Sequence, residues 1–254
     1  MSLTRLALRF AAPVPKVEGF ERYLFVGPHP DDIEIGAGAT AAKLAAAGKK
    51  VCFLICTDGR YGDGHTDKKG DALVHVRQQE CIRSAEMLGV SDVRFLGLSD
   101  GGFYAMDDLL RGIAQTIADF QPDILFAPDP CVKSEAHPDH LSVGEAVRRL
   151  ACFAPYEGIM AQYGASSAPV KAAAFYMTAR PNRYVRTVGY VPRQLDAVFK
   201  CHLSQFPEGS ADAGQIALYL KLRSIDFGLR SLKGQAEGFR VLGALHMHCM
   251  PESE

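Results

Sequence analysis

Two short stretches of the 254-residue chain carry the side chains that could do chemistry. Residues 27–40 read GPHPDDIEIGAGAT, and residues 135–144 read EAHPDHLSVG. Both stretches contain His-Pro-Asp, at positions 29–31 and 137–139. Two imidazoles and one carboxylate form a three-ligand set that leaves metal positions open for water and substrate, as a catalytic zinc site requires. The residue types therefore indicate a metal-dependent reaction.

The residue types and their order reduce the set of candidate metal ligands. His29 and His140 can supply imidazole nitrogens, and Asp31 or Asp32 can supply the carboxylate. Adjacent side chains point in different directions, so one aspartate can bind the metal while the other reaches a bound water. His137 lies one helical turn before His140 and can face the same pocket without touching the metal. The spacing does not distinguish zinc from iron or cobalt.

The hydrophobic pattern around these stretches predicts how they meet. Short apolar runs alternate with helical patterns, which predicts an α/β fold: a Rossmann-like, doubly wound and mostly parallel sheet. The predicted strands are 23–26, 51–56, 93–96 and 124–127, and the predicted helices are 35–47, 73–88, 107–120 and 138–152. In such a sheet the first and fourth strands lie side by side, and ligands bind beyond their carboxyl ends. The two stretches follow these two strands, which favours one shared site over two separate helix caps.

Beyond residue 155 the pattern is looser. Residues 156–169 predict a loop or flap, followed by a strand at 172–177, helices at 192–203 and 213–229, and a late strand at 238–242. We predict a single domain over residues 1–254. Residues from about 20 to 155 form the core with the metal site, and residues from about 156 to 254 form a flap and a C-terminal extension packed on it.

Composition excludes several classes of function. The formal net charge is -1, which gives no electrostatic case for nucleic acid or an anionic membrane as a partner. No apolar run is long enough to span a bilayer. The seven cysteines are scattered without a CxxC pair, which predicts free thiols and a cytoplasmic location.

Two alternative functions remain open. GAGATA at 36–41 fits a nucleotide-binding pattern, which predicts a binding module that uses Gly36 and Gly38. However, nine residues that include two adjacent aspartates separate Val26 from Gly36, so close packing of a helix on the sheet is the favoured explanation. The second alternative is a non-haem iron enzyme, because two histidines and one carboxylate also form a facial triad.

The motifs in combination resemble those of the PIG-L/LmbE-like N-deacetylases. PHPDD at 28–32 and HPDH at 137–140 carry the resemblance, with RQQECIRSAEMLGV at 77–90 and FLGLSDG at 95–101. Within that family, the first stretch and the histidine-bearing tail look most like diacetylchitobiose deacetylases. The resemblance implies zinc-dependent hydrolysis of the acetamide in a small N-acetylglucosamine-containing molecule, possible substrates being diacetylchitobiose and N-acetylglucosamine.

The resemblance also implies a role for each matching residue near the metal. His29, Asp32 and His140 would hold one Zn²⁺ per subunit, or another divalent metal. Asp31 would be the general base that takes a proton from the metal-bound water.

The remaining matching residues would act on the amide and on the sugar. A cationic His137 would stabilise the oxyanion or protonate the leaving amine, oriented by Asp139. Arg77 and Asp100 would bind sugar hydroxyls from one rim of the site. For these two, the alternatives are a helix-face ion pair of Arg77 with Glu80 and a simple turn role for Asp100.

The C-terminal tail ALHMHCMPE carries two further histidines. On a strand, His246 and His248 would share one face, and the opposite face of Leu245, Met247 and Cys249 would dock. The resemblance implies a homo-oligomer, as large as a hexamer, in which a tail histidine reaches the sugar site of a neighbouring subunit. His248 is the favoured residue by position, and a solvated edge strand is the alternative.

Overall fold

A seven-stranded sheet with helices on both faces forms the framework of the protein. The computed structural model describes residues 3–248, apart from the side chains of Arg5 and Arg9. The strand order is β3-β2-β1-β4-β5-β7-β6. The strands are β1 (Arg22–Gly27), β2 (Lys50–Thr57), β3 (Asp92–Leu98), β4 (Ile124–Pro128), β5 (Ala172–Tyr176), β6 (Arg183–Arg186) and β7 (Ala236–Gly243). The helices are α1 (Leu3–Ala11), α2 (Asp32–Ala46), α3 (Gly70–Leu88), α4 (Met106–Phe120), α5 (Pro138–Phe153), α6 (Glu157–Met160), α7 (Val191–Asp196) and α8 (Ala211–Ser231).

The first five strands are parallel, and β7 and β6 close the sheet in antiparallel pairing. Strands β1, β2 and β4 read as continuous apolar runs because helices cover both faces of the sheet at these strands. The predicted α/β class and the predicted adjacency of the first and fourth strands are confirmed, since β1 pairs directly with β4. The carboxyl ends of these two strands therefore flank one crevice.

Alternate residues of the central strands feed two hydrophobic cores. On one face the Phe25 ring stacks on Phe126 with ring centroids 4.2 Å apart, and Phe53 meets Phe25 edge-on. On the other face Leu24 and Leu54 belong to a second cluster that includes residues of α4 and α5. Truncation of a buried aromatic side chain of this kind to Ala typically lowers the free energy of unfolding by about 3–5 kcal/mol. These cores hold the strand ends, and with them the site, in fixed register.

Several predicted boundaries and elements are wrong. The predicted helix at 192–203 divides into α7 and a π-helical segment, Ala197–Cys201. The predicted flap contains α6 and the 3-10 helix Ala161–Tyr163. Strand β6 was missed because it is a four-residue edge strand with arginine at both ends. Among the described residues, no helix combines the length and hydropathy needed to cross a bilayer.

The predicted tail strand is also wrong, because Ala244–Met247 forms a 3-10 helix. The His246 side chain explains the turn: its Nδ1 accepts a hydrogen bond from the backbone N–H of Gly243 at 3.2 Å. Its Nε2 lies 3.0 Å from the carbonyl oxygen of Ala12. The two histidines therefore do not share a strand face. Cys249, part of the predicted apolar face, lies outside the described residues.

Candidate metal centre and active site

Both His-Pro-Asp stretches lie at helix starts beyond neighbouring strand ends. After β1 the chain turns at His29, whose carbonyl oxygen accepts from the N–H of Asp31, and α2 begins at Asp32. After β4 a loop leads to His137, which caps α5 by accepting from the N–H of Asp139. The rings of His29 and His137 lie 4.7 Å apart between centroids, so the two stretches form one cluster. The sequence prediction that they face each other agrees with this geometry.

Three side chains in this cluster have the arrangement of a metal-ligand set. His29 Nδ1 lies 3.0 Å from Asp32 Oδ2, and His140 Nε2 lies 3.4 Å from Asp32 Oδ1. One ligand atom from each of the three residues can be chosen so that all lie within 4.8 Å of one another. Ligand bonds of about 2.0–2.2 Å in tetrahedral geometry place neighbouring ligand atoms about 3.4 Å apart. The donor set therefore fits a four-coordinate divalent metal with one position left for water.

The outer nitrogen of each ligand histidine is held by a second carboxylate. His29 Nε2 lies 3.0 Å from Asp139 Oδ2, and His140 Nδ1 lies 3.0 Å from Glu135 Oε2. A carboxylate on the outer nitrogen fixes the tautomer and the ring orientation of a metal-binding histidine, leaving the inner nitrogen bare for the metal. Sequence reasoning gave Glu135 no role. Its position two residues before His137 within the second stretch was the available signal.

Asp139 is fully buried, and its carboxylate accepts several hydrogen bonds. The backbone N–H groups of Gly101 and Gly102 donate to its two carboxylate oxygens at 2.7 and 2.8 Å. The predicted partner His137 is more distant, with Nδ1 3.8 Å from Asp139 Oδ2. Of these two histidines, His29 is therefore the closer to the Asp139 carboxylate, at 3.0 Å. That Asp139 orients His137 stays a prediction, which rests on the 3.8 Å contact.

Electrostatics at the cluster favour a bound cation. Burial lowers the pKa of His29, but its hydrogen bonds to Asp139 and Asp32 outweigh burial and raise that pKa to about 10. Burial also lowers the pKa of His140, but the charge and hydrogen bond of Asp32, with a hydrogen bond to Glu135, outweigh burial and raise that pKa to about 9. These pKa shifts reflect a local excess of carboxylate. The carboxylates favour a positive charge at this point, and protonation of the two imidazoles supplies it. A bound divalent metal would supply that positive charge in place of the protons. The carboxylates concerned are Asp31, Asp32, Glu135 and Asp139.

Asp31, the predicted base, is paired with Arg77. The Arg77 guanidinium is buried and its Nη2 lies 3.2 Å from Asp31 Oδ2, while Nη1 donates to the carbonyl of Gly59. Burial raises the pKa of Asp31, and the charge of Arg77 opposes that rise. The alternative ion pair with Glu80 is not formed, because the Glu80 carboxylate accepts from the N–H and Oγ of Ser204. Arg77 therefore holds the predicted base, and its sugar-binding role stays a prediction.

Asp100 is buried and supports the loop after β2. Its carboxylate accepts from the backbone N–H of Tyr61, with N–O distances of 3.2 and 3.4 Å. The Tyr61 ring is 59% exposed and meets the 72% exposed ring of Phe103 edge-on, with centroids 5.9 Å apart. Phe103 follows directly on Gly101 and Gly102, which bind Asp139. This exposed aromatic pair beside the cluster was missed at the sequence level, because Tyr61 and Phe103 lie in irregular loops.

The surroundings of the half-exposed His137 ring disfavour its cationic form. Burial, reinforced by the charges of His29 and His140, lowers the pKa of His137. Its Nδ1 accepts from the N–H of Asp139 at 3.3 Å, so the neutral ring carries its proton on Nε2. That Nε2–H is a hydrogen-bond donor. The predicted cationic role of His137 stays a prediction, and in the neutral ring the hydrogen bond at Nδ1 leaves Nε2 as the donor.

The glycines after the first stretch serve close packing. A Cβ on Gly36 would come within 2.2 Å of the Tyr176 ring, and one on Gly38 within 3.0 Å of Gln194. Gln194 Nε2 donates to the carbonyl of Glu34 in α2. Helix α2 therefore lies too close to Tyr176 for a larger residue at Gly36, and Gln194 would have to shift to admit one at Gly38, in agreement with the packing interpretation.

His202, assigned no role from the sequence, is fully buried. Its Nε2 lies 3.3 Å from Glu34 Oε1, and Ser84 Oγ donates to the same oxygen. Glu34 lies two residues after the predicted ligand Asp32, so this pair supports α2 from behind the site.

His248 is exposed, and its Nε2 lies 3.5 Å from Cys152 Sγ. This contact lies within one chain. The predicted reach of His248 into a neighbouring subunit stays a prediction.

Comparison with known proteins identifies the family. Residues 24–151 match the profile described as PIG-L: GlcNAc-PI de-N-acetylase. The chain is 31% identical over 252 residues to the diacetylchitobiose deacetylase of Thermococcus kodakarensis, covering 98% of this chain and 92% of that one. The chain belongs to the PIG-L family. The family assignment made from the motifs is thereby confirmed.

Two further relatives agree with this membership. The N,N'-diacetylchitobiose deacetylase of Pyrococcus horikoshii, solved with its inhibitor, superposes with a TM-score of 0.87 at 27% identity, over 99% of this chain and 97% of that chain. The second relative is a 1D-myo-inositol 2-acetamido-2-deoxy-alpha-D-glucopyranoside deacetylase of Kineococcus radiotolerans. The two sequences are 33% identical, over 69% of this chain and 56% of the Kineococcus protein. The fold match extends through β5, β7 and α8, well beyond the residues of the family profile.

Proposed function

We propose that this PIG-L protein hydrolyses the acetamide of a small N-acetylglucosamine-containing compound, with diacetylchitobiose as the first candidate. The observation that carries the proposal is the ligand set of His29, Asp32 and His140, placed beside the buried carboxylate of Asp31. Similarity to the Thermococcus kodakarensis diacetylchitobiose deacetylase over nearly the whole chain supports the substrate class. Deacetylation yields acetate and a free amine.

The proposed metal is one zinc ion per chain. Its ligands would be His29 Nδ1, one oxygen of Asp32 and His140 Nε2, with Asp139 and Glu135 on the outer nitrogens. Zinc in such a site supplies a bound water of lowered pKa and polarises a carbonyl oxygen.

The protein's own residues would carry the protons. Asp31 accepts a proton from the attacking water, and Arg77 keeps the carboxylate in place and favours its ionised form. His137 donates its Nε2–H to the carbonyl oxygen as negative charge develops there. The water oxygen bonds to the carbonyl carbon, the C–N bond breaks, and the proton held by Asp31 passes to the leaving nitrogen.

The sugar would lie against the loops that follow β2 and β3. Asp100 fixes the backbone at Tyr61, and the exposed rings of Tyr61 and Phe103 offer apolar faces on which a pyranose can lie. In a homo-oligomer, we propose that His248 of one subunit would add a contact to the sugar of its neighbour. On that proposal, His248→Ala weakens substrate binding while metal content stays unchanged.

The experiment that tests this function is a substrate panel with metal control. Acetate and free amine are measured from diacetylchitobiose, N-acetylglucosamine and N-acetylglucosaminyl inositol, before chelation, after chelation and after zinc is restored. The proposal expects release that chelation abolishes and zinc restores. Activity that survives complete metal removal contradicts it. Oxygen consumption measured in the same samples separates hydrolysis from the non-haem iron alternative, which needs oxygen.

A further inference from the structure

A cavity of about 210 Å³ opens beside the proposed metal ligands. Asp32 and His140 border both the ligand set and this cavity. Its apolar walls are Ile35, Pro128, Val132, Tyr176 and Met177. The cavity thus begins where the reacting carbonyl would lie and continues into an apolar space.

The polar groups in the wall already have partners. Asp129 accepts from Thr178 Oγ1 and from the N–H of Cys131. The Tyr176 hydroxyl donates to the carbonyl of Val26 at 2.9 Å. Glu135 accepts from the N–H of His137 and contacts His140. These carboxylates and the hydroxyl are thus engaged with neighbouring residues, and the surface left facing the cavity is mainly apolar, which favours a hydrocarbon chain over sugar hydroxyls.

The cavity is also separate from the residues proposed to handle the sugar. Within residues 3–248, none of Asp100, Tyr61 or Phe103 lines it, and neither does the proposed base Asp31 with its partner Arg77. An amide at the metal has two substituents, the sugar on nitrogen and the acyl group on carbon. If the sugar lies on the side of Asp100 and Tyr61, the acyl group is the substituent left for the cavity.

Met177, in the wall of this cavity, has an uncommon backbone conformation. It follows β5 directly and has φ of 51°, a left-handed conformation that is uncommon for a residue with a side chain. Such conformations persist where the surrounding structure enforces them, and they cluster at ligand sites. A methionine side chain is flexible and adapts to apolar ligands of different shape.

We propose that this cavity is an acyl-chain pocket and that the enzyme removes N-acyl groups longer than acetyl. The inference rests on the proposed amide hydrolysis. An engineered apolar cavity of about 150 Å³ takes up benzene, so about 210 Å³ has room for a linear chain of similar carbon number, such as hexanoyl. Each N-acylglucosamine and one water give one carboxylic acid and one glucosamine, with cleavage of the same C–N bond.

The test compares N-acetyl-, N-propionyl-, N-butyryl- and N-hexanoylglucosamine with the zinc-loaded protein, with glucosamine release as the readout. In a pocket that excludes larger groups, a single methylene can change kcat/KM by about 10–200-fold. We expect kcat/KM for the propionyl and butyryl compounds to stay within about tenfold of the acetyl value. Cleavage of the acetyl compound with a loss of tenfold or more for both longer ones overturns the pocket and leaves the deacetylase proposal intact. If no compound is cleaved, the proposed function fails, and the pocket fails with it.

Two wall variants should act in opposite directions. Val132→Phe fills the cavity and should lower the butyryl-to-acetyl ratio of kcat/KM by about tenfold or more. Met177→Ala enlarges it and should raise the hexanoyl-to-acetyl ratio. Val188→Phe makes the same substitution at an exposed site outside the pocket and should leave both ratios unchanged. Ratios that do not move in either wall variant contradict the assignment.

Binding to the metal-free protein gives a readout that is independent of catalysis. Hexanamide and acetamide are titrated calorimetrically into chelator-treated protein, which cannot hydrolyse them on the proposed mechanism. We expect hexanamide to bind more tightly than acetamide with a negative heat-capacity change, because apolar surface is buried. Val132→Phe should remove that difference. Equal affinities in the unmodified protein would count against an apolar acyl pocket.

Discussion

His29 Nε2 lies 3.0 Å from the Oδ2 of Asp139, a residue 110 positions further along the chain. The carboxylate is itself fixed by two backbone N–H groups, so the imidazole is held with its Nδ1 towards Asp32. This contact joins the two His-Pro-Asp stretches and sets the tautomer that a metal needs.

Replacing Asp139 tests that contact. Asp139→Asn should weaken metal affinity by about 10–100-fold, because the amide no longer holds the His29 ring in the metal-binding tautomer. Competition with a chromogenic chelator measures the affinity. Asp108→Asn, the same substitution at an exposed position in the first turn of α4, is the matched control and should bind metal normally. Unchanged affinity in a folded Asp139→Asn protein would show that the contact is structural only.

The adjacent aspartates should separate metal binding from catalysis. Asp31→Asn should retain most of the metal but lose several orders of magnitude in kcat, because the water loses its base. Asp32→Asn should lose metal, because a charged ligand is removed. Metal content is measured by elemental analysis beside steady-state kinetics. The reverse pattern would mean that the two roles are exchanged.

The two histidines of the second stretch should separate in the same way. His140→Ala should lose metal, whereas His137→Ala should retain it and lower kcat by about 10²–10³-fold through loss of one donor to the oxyanion. Elemental analysis and kcat are measured for both variants. Equal metal loss in both would make His137 a ligand and remove its assignment as a donor.

Glu237 should make stability depend on pH independently of the metal. It is fully buried, and burial, only partly offset by hydrogen bonds from Thr40 and Ala39, raises its pKa from 4.5 to about 7. Between these two values the unfolded chain releases this proton while the folded protein retains it. The free energy of unfolding should therefore fall as pH rises through that window, by an amount on the order of 3 kcal/mol.

Urea unfolding at pH 5 and pH 8 measures this dependence, and Glu237→Gln should lose that part of it. Glu208→Gln, an exposed counterpart, should keep the dependence of the unmodified protein. If Glu237→Gln and the unmodified protein show equal changes between the two pH values, the carboxyl is already ionised when folded.

The sequence was sufficient for the parts of the fold that depend on local pattern. Short apolar runs such as Tyr23–Val26 and Ile124–Ala127, alternating with helical patterns, favour strands buried on both faces, so the parallel sheet and the adjacency of β1 and β4 could be predicted. The tail could not, because the 3-10 turn depends on a hydrogen bond from the backbone of Gly243 to the His246 side chain. A strand pattern of alternating residues carries no information about that bond.

The same division holds at the site. The two local motifs predicted His29, His140 and one of the two adjacent aspartates as ligands, and the family resemblance implied which aspartate binds the metal and which is the base. The partner of Arg77 was not, because its contact with Asp31 spans 46 residues and depends on how α3 packs on α2. Glu135 and the acyl cavity were missed for a related reason, since both arise where the loop after β4 meets α2 and the end of β5.

On the proposed mechanism, His29, Asp32 and His140 together hold the catalytic metal. Anomalous diffraction at the zinc edge, from crystals grown with one equivalent of zinc, locates that metal. We expect a single strong peak per chain about 2.0–2.2 Å from His29 Nδ1, one Asp32 oxygen and His140 Nε2. A peak at other side chains, or none in crystals of protein that is active with zinc, would rule out this ligand set.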